Sequence, residues 1–407
     1  MLSEPNPSRA VLKPACAVAE SRQWKTKPLR ILIAHKVSRV PNGGMSRLMT
    51  FIHERLAESA GHLVDYFCEE DLPARWSGKL SRFSFPLLVL HQARLAAVRG
   101  EAYDVINVHE PSSAAIALLK GRAGNPAVVV TSYGIERRAW QLAHEELCLG
   151  REGPSWKTRL VYPPTSLWQS GLGLRLADHV ICSNEEDKDY LINRLHMPQH
   201  RITRMHSAAG AIFDEAARGR SYGRCAHLLF AATWRKNKGI EDLVPAFKSL
   251  AEHHPQLNLI VLGGGVPEET ILKMFPEPVR CRVSCVQAGT EAETAVWFAR
   301  ADLFVLPSLF EGTPLTLIEA MMSGLPVITT RTCGMKDVIR DGENGLLVPV
   351  RSPQAIVSAV ERLIADEAYR AKLGRAAQSE ALEKYTWQRV AAPVQEIYER
   401  LCPKTVQ

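Results

Sequence analysis

The sequence holds 407 residues, 46% hydrophobic and 23% charged, with a formal net charge of +7 at pH 7. That length is too great for one ordinary core and suits two domains, and the composition is that of a soluble globular protein. No stretch approaches the roughly 20 apolar residues of a membrane-spanning helix, and the dispersed basic residues, with no aromatic-interleaved patch, argue against nucleic-acid binding.

Residues 1–28 contain no apolar segment of the length a signal peptide needs and are expected to form a disordered or weakly ordered lead-in. Leu29–Ala34 is an unalternating apolar run, which predicts a strand covered on both faces. A loop with Pro41, Asn42, Gly43 and Gly44 follows. Met45, Leu48, Met49, Ile52 and Leu56 then recur at helical spacing. Further strands are predicted at 64–67, 103–108, 127–131 and 179–183, with helical segments between most of them. Between them, residues 75–99 mix basic and large apolar residues. They read either as an interfacial segment approaching anionic lipid or as an ordinary basic helix packed on its domain. The rhythm resets near 207–225, and a second series follows at 227–231, 257–262, 281–286, 303–306 and 326–329. This alternation predicts two α/β domains with parallel, doubly wound sheets and a cleft between them. The boundaries are 29–210 and 211–385, with an amphipathic helix in 386–407. Nine cysteines are scattered along the chain. Cys281 and Cys285 are the one close pair, with no second pair at zinc-ligand spacing, so all nine read as reduced thiols of a cytosolic protein.

Ligands of such sheets bind at the carboxyl ends of the strands, which singles out the residues there. Gly43-Gly44 lets backbone approach a ligand closely but equally reads as a bare turn. His109 ends a strand beside Pro111, where it can hydrogen-bond a ligand. Arg235, Lys236 and Lys238 crowd one βα loop, as either a solvated face or an anion site. Gly263, Gly264 and Gly265 make a glycine turn after another strand. The richest stretch is 301–328. There Thr313 reads as an N-cap with Pro314 at the first helical position, and Gly324 as the C′ stop. Glu319 lies within an apolar helix and is rarely buried without a partner. Either a ligand or a core cation must meet it.

The segment from Pro307 to Ile328, with Glu311 and Glu319 eight positions apart, resembles the E-x7-E signature of retaining glycosyltransferases of family 4, which have the GT-B fold. The resemblance covers 225–350 closely and 29–210 more loosely. It implies two Rossmann-like domains facing a cleft and a C-terminal helix crossing back to the first domain. Glu311 would contact the donor sugar, and Gly312, Thr313, Pro314, Leu315 and Thr316 the diphosphate, while Glu319 would accept the ribose hydroxyls. Gly43, Gly44 and Gly264 would border the donor, and His109, in Val108-His109-Glu110-Pro111, the transferred sugar. Lys238-Gly239 fits the family's Lys-Gly, but the preceding arginine position is Thr233, so Arg235 is assigned as the substitute. Tyr133 stands where relatives carry histidine.

The resemblance implies a nucleotide-sugar donor and a glycan or lipid-linked acceptor. No D-x-D-type metal motif stands out, so no metal or other cofactor is expected. The mildly basic charge and residues 75–99 leave a cytoplasmic protein open to peripheral contact with the anionic inner face of the plasma membrane. A GT-B epimerase or hydrolase, or a non-catalytic nucleotide-sugar-binding protein, would share the donor pocket.

Overall fold

The computed structural model describes residues 28–38, 44–76, 78, 81–118 and 126–402. The expected lead-in, apart from Pro28, and Gly43 lie outside the described residues.

The first six strands are β1 (Arg30–Ala34), β2 (Leu63–Phe67), β3 (Val105–His109), β4 (Ala127–Thr131), β5 (His179–Cys182) and β6 (Ile202–Arg204). They pair in parallel in the order β2-β1-β3-β4-β5-β6. Successive β1 side chains serve two cores. Ile31 and Ile33 pack with the Gly44–Ala60 helix, while Leu32 and Ala34 join Phe85 and Val89 of the Ser81–Val98 helix. A strand buried on both faces has no polar alternation to show. The second sheet comprises β7 (His227–Ala231), β8 (Asn258–Leu262), β9 (Val283–Val286), β10 (Leu303–Leu306), β11 (Val327–Thr330) and β12 (Leu346–Val348). Its order is β12-β11-β10-β7-β8-β9, again parallel.

Both orders create a switch point, where successive crossovers leave in opposite directions and a crevice opens at the carboxyl ends. In the first sheet it falls between β1 and β3, and in the second between β7 and β10. His109 ends β3, and the loops that carry Lys238 and Glu311 leave β7 and β10.

The Trp387–Leu401 helix returns to the first domain, where Val390, Val394, Ile397 and Tyr398 are buried with Leu29, Ile31 and Leu48. Asn107 donates to the Tyr398 hydroxyl at 2.6 Å. The two passages between domains run side by side, joined by a bridge between Ala209 and Thr386. No described helix is long and apolar enough to cross a membrane. The Ser81–Val98 helix buries Phe85, Pro86, Val89, Ala93 and Ala96, as a helix packed on its domain does, and leaves Phe83 and Leu87 exposed. None of the eight described cysteines is in a disulfide.

Candidate active site

Gly239 has φ +74°, and a Cβ there would lie 1.9 Å from the carbonyl oxygen of Pro307. The loop after β7 therefore lies directly on the loop after β10, and only glycine permits that approach. Leu309 N–H donates to the Asn237 carbonyl at 2.8 Å across the same seam. This contact sets Lys238 against Glu311 in an ion pair, with the Ser308 hydroxyl donating to the same carboxylate at 3.2 Å. Both side chains are mostly shielded, 21% and 15% exposed.

Arg235 belongs to the same loop but is exposed at its rim, with no side-chain partner among the described residues. It is not brought to Glu311. Thr233 is exposed as well. Gly264 accepts the Trp234 N–H at 2.7 Å, and an added Cβ would press on Ile271 at 2.8 Å.

The apolar helix runs from Leu315 to Met322, and Gly324 stops it at φ +67°. Its N-cap is Pro314, not Thr313. The Thr313 hydroxyl is turned away and donates to the Ser183 carbonyl at 2.7 Å, while Ser207 donates to the Thr313 carbonyl at 2.6 Å. The expected cap is thus spent on joining the two domains, and with no side chain on the free amides the helix start stays open to an anion. Gly44 arrives from the first domain, and a Cβ there would stand 3.6 Å from Leu315 Cβ. Thr316 is half-buried in the first turn of the helix.

Among the described glycines that face the other domain, Gly312 makes the closest approach. A Cβ on it would meet the Tyr133 carbonyl oxygen at 2.6 Å and Ser183 Cβ at 2.8 Å, both in the first domain. Gly312→Ala is expected to cost about 1–3 kcal/mol of overpacking, relieved by opening of the cleft. Small-angle scattering should report a larger radius of gyration with unchanged circular dichroism. An unchanged radius would mean that the seam yields without opening.

Glu319 is 1% exposed, and one carboxylate oxygen receives a guanidinium N–H of Arg47. Among the described residues its other oxygen has no partner. Burial pushes the carboxyl up to about 7, against the pull of Arg47 and with a smaller push from Glu291. The partner is a cation, but it comes from the opposite domain, on the first turn of the Gly44–Ala60 helix. Arg47 is the residue that the sequence reading misses. Its signal is a cation at a helix N-terminus, where the helix dipole disfavours one and a compensating anion is required.

His109 ends β3 and is 4% exposed. Its ring lies 5.7 Å from that of His35 and 5.3 Å from that of Tyr133. Among the described residues neither ring nitrogen is hydrogen-bonded. Burial, then the fields of His35 and His53, hold it well below the usual histidine range, so it is a neutral imidazole at pH 7. A buried polar group without a partner costs about 1–3 kcal/mol, which a ligand hydroxyl would recover. Tyr133 directs its hydroxyl to Met49 sulfur at 3.1 Å. Glu110, next in sequence, accepts the Ser170 hydroxyl and, at 3.2 Å, the Glu136 amide, and burial pushes it up to about 7. Among the described residues no cluster of three or more His, Cys, Asp or Glu could hold a metal ion.

The family described as "Glycosyl transferases group 1" matches residues 215–380, and "Glycosyltransferase Family 4" matches residues 42–208. A D-inositol 3-phosphate glycosyltransferase of Pseudarthrobacter chlorophenolicus is 36% identical over 177 residues, 42% of each chain. The chain spans only about half the length, 42% and 52%, of the first curated relatives it matches. Sucrose-phosphate synthase from Thermosynechococcus elongatus has a TM-score of 0.74 at 22% identity, covering 92% of this chain and 99% of that one. The Anabaena protein Alr3699/HepE, solved in complex with UDP-glucose, has a TM-score of 0.65 at 17% identity, covering 91% and 100%. Both structures share the two-domain GT-B fold.

Proposed function

The chain belongs to the group 1 glycosyl transferases of family 4, and we propose that it moves a sugar from a nucleotide-diphosphate sugar onto a hydroxyl acceptor, with retention at the anomeric carbon. The carrying observation is the meeting of Lys238 and Glu311, from the two loops of the β7/β10 switch point, beside the open start of the Leu315–Met322 helix. An ammonium has three N–H donors, so Lys238 can keep Glu311 and still reach a diphosphate oxygen. Arg235 supplies a second cation from the rim, and no metal is needed for the charge work.

In this reading the bond from the anomeric carbon to the diphosphate oxygen breaks as negative charge gathers on that oxygen. Lys238, Arg235 and the helix amides stabilise the charge. The acceptor oxygen attacks from the same face through an oxocarbenium-like state, and its proton leaves with the diphosphate. Glu311 holds donor hydroxyls, Glu319 the ribose, Gly44 and Gly264 border the donor, and neutral His109 orients the sugar without acting as a base. The UDP-glucose bound to the Anabaena protein supports this donor class. Acceptors are glycans or glycolipids of polysaccharide or cell-envelope assembly.

A thermal-shift screen of nucleotide-sugars tests the donor site, because a ligand near 100 Kd adds about 2.7 kcal/mol. One donor should raise Tm by several degrees, and then release nucleotide rapidly only when acceptor is supplied. Full-rate release without acceptor would make the protein a hydrolase. No shift with any donor would remove the site.

A further inference from the structure

The Trp156–Tyr162 helix buries none of its residues. Trp156, Leu160 and Val161 are 65%, 69% and 46% exposed, and Trp168, one turn beyond, is 57% exposed. Lys157 and Arg159 share the helix, with Lys157 5.6 Å from the Trp156 ring centre. A helix in water that keeps its large apolar side chains outward has left its usual stabilisation unused.

Beside it opens a cavity of about 660 Å³, walled by Pro163, Trp168 and Tyr190 and by three arginines, Arg137, Arg175 and Arg194. No acidic residue lines it. All three arginines are exposed, and none has a side-chain hydrogen bond or ion pair among the described residues. They share that wall with Tyr190; burial and Glu110 push its phenol up, and the fields of all three arginines pull against them. Large apolar side chains ringed by cations match a membrane interface, with rings and methyls among the acyl chains and guanidiniums among phosphates.

We infer that this face docks on an anionic lipid surface, with a phosphate headgroup in the Arg137/Arg175/Arg194 cavity and Trp156 and Leu160 inserted beside it. The face is tied to the proposed sugar site. Tyr162 donates to Glu136, whose amide donates to Glu110, the residue after His109. What the docking serves rests on the transferase reading, but the docking itself does not.

The test is flotation of the full chain with vesicles of phosphatidylcholine, alone or mixed with phosphatidylglycerol. The wild type should float with the mixed vesicles alone, with Trp156 emission shifted to the blue. Each cation at an anionic surface contributes about a fivefold gain. The triple variant Arg137→Gln, Arg175→Gln, Arg194→Gln should therefore bind roughly a hundredfold more weakly, and its Arg→Lys counterpart should retain most of the binding. Trp156→Ser with Leu160→Ser should weaken binding without altering charge. Each variant's Tm and donor-induced shift should match the wild type, which separates loss of docking from loss of the fold or donor site. Equal flotation with both vesicle types, unchanged binding by the triple variant, saturation by inorganic phosphate without flotation, or a dimer that covers Trp156 and floats with neither would each overturn the inference.

Discussion

Lys238→Ala is expected to lower kcat/KM by about 30- to 1000-fold, or about 2–4 kcal/mol, the usual cost of one preorganised donor aimed at developing charge. In the free protein Lys238 is held by Glu311, so the change also frees a carboxylate in a seam only 15% exposed. Lys238→Ala with Glu311→Gln removes that stray charge. Because Glu311 also holds donor hydroxyls, the comparison is with Glu311→Gln alone: a further loss of about 30-fold or more on adding Lys238→Ala belongs to the diphosphate and not to the orphaned acid. Arg235→Ala should cost less, because an exposed guanidinium without a partner is less preorganised. A Lys238→Ala enzyme within twofold of the wild type would strip the β7 loop of its assigned role.

Arg47→Ala should have the largest effect on stability, and the effect should depend on pH. Glu319 sits near 7 in the fold, against about 4.5 for a free glutamate. A raised carboxyl binds its proton more tightly when folded. Its contribution is therefore fully present below pH 4.5 and lost as pH rises through 7, a change of about 3 kcal/mol. Without Arg47 the carboxyl must rise further, since burial and Glu291, a like charge, both push it up. Arg47→Ala should thus be about 3 kcal/mol less stable than the wild type at pH 8, with the gap closing towards pH 4.5. Glu319→Gln in the same chain should restore most of the loss. Denaturant melts across pH 4.5–8 read this directly, and a loss independent of pH would mean that Arg47 acts through packing. Donor binding should follow the same carboxyl. Ribose hydroxyls donate best to the ionised form, so affinity for a nucleotide-sugar should rise between pH 6 and 8 and become flat in Glu319→Gln.

Most of the scaffold was legible because it rests on local signals. The apolar runs at Leu29–Ala34 and Leu303–Leu306 mark doubly covered strands, and Gly324 and Gly239 mark backbone turns that other residues resist. The shift of one predicted strand from 103–108 to Val105–His109 matters, since it places His109 within β3. β6 and β12 escaped, being three-residue edge strands with little pattern to detect. What the chain could not reveal were relations between its halves. Thr313 carries an N-cap signature, but its hydroxyl is claimed by Ser183 across the seam. Glu319 demanded a partner, yet nothing near it in sequence pointed to Arg47, separated by 272 positions. The Trp156–Tyr162 helix drew no notice, because its apolar residues look like any others until none proves buried.

The returning helix has a consequence for how the polypeptide is made. Val390, Ile397 and Tyr398 complete a core begun by Leu29 and Ile31, so that core cannot close until the Trp387–Leu401 helix has been made. The later half needs no such delay, since its own core is one cluster from Ala209 to Tyr385. One face of the first half is therefore completed after the second half, against the usual N-terminus-first course of translation. Until then the Ile31 and Ile33 face of β1 is only partly covered, and it is there that the newborn chain needs a chaperone.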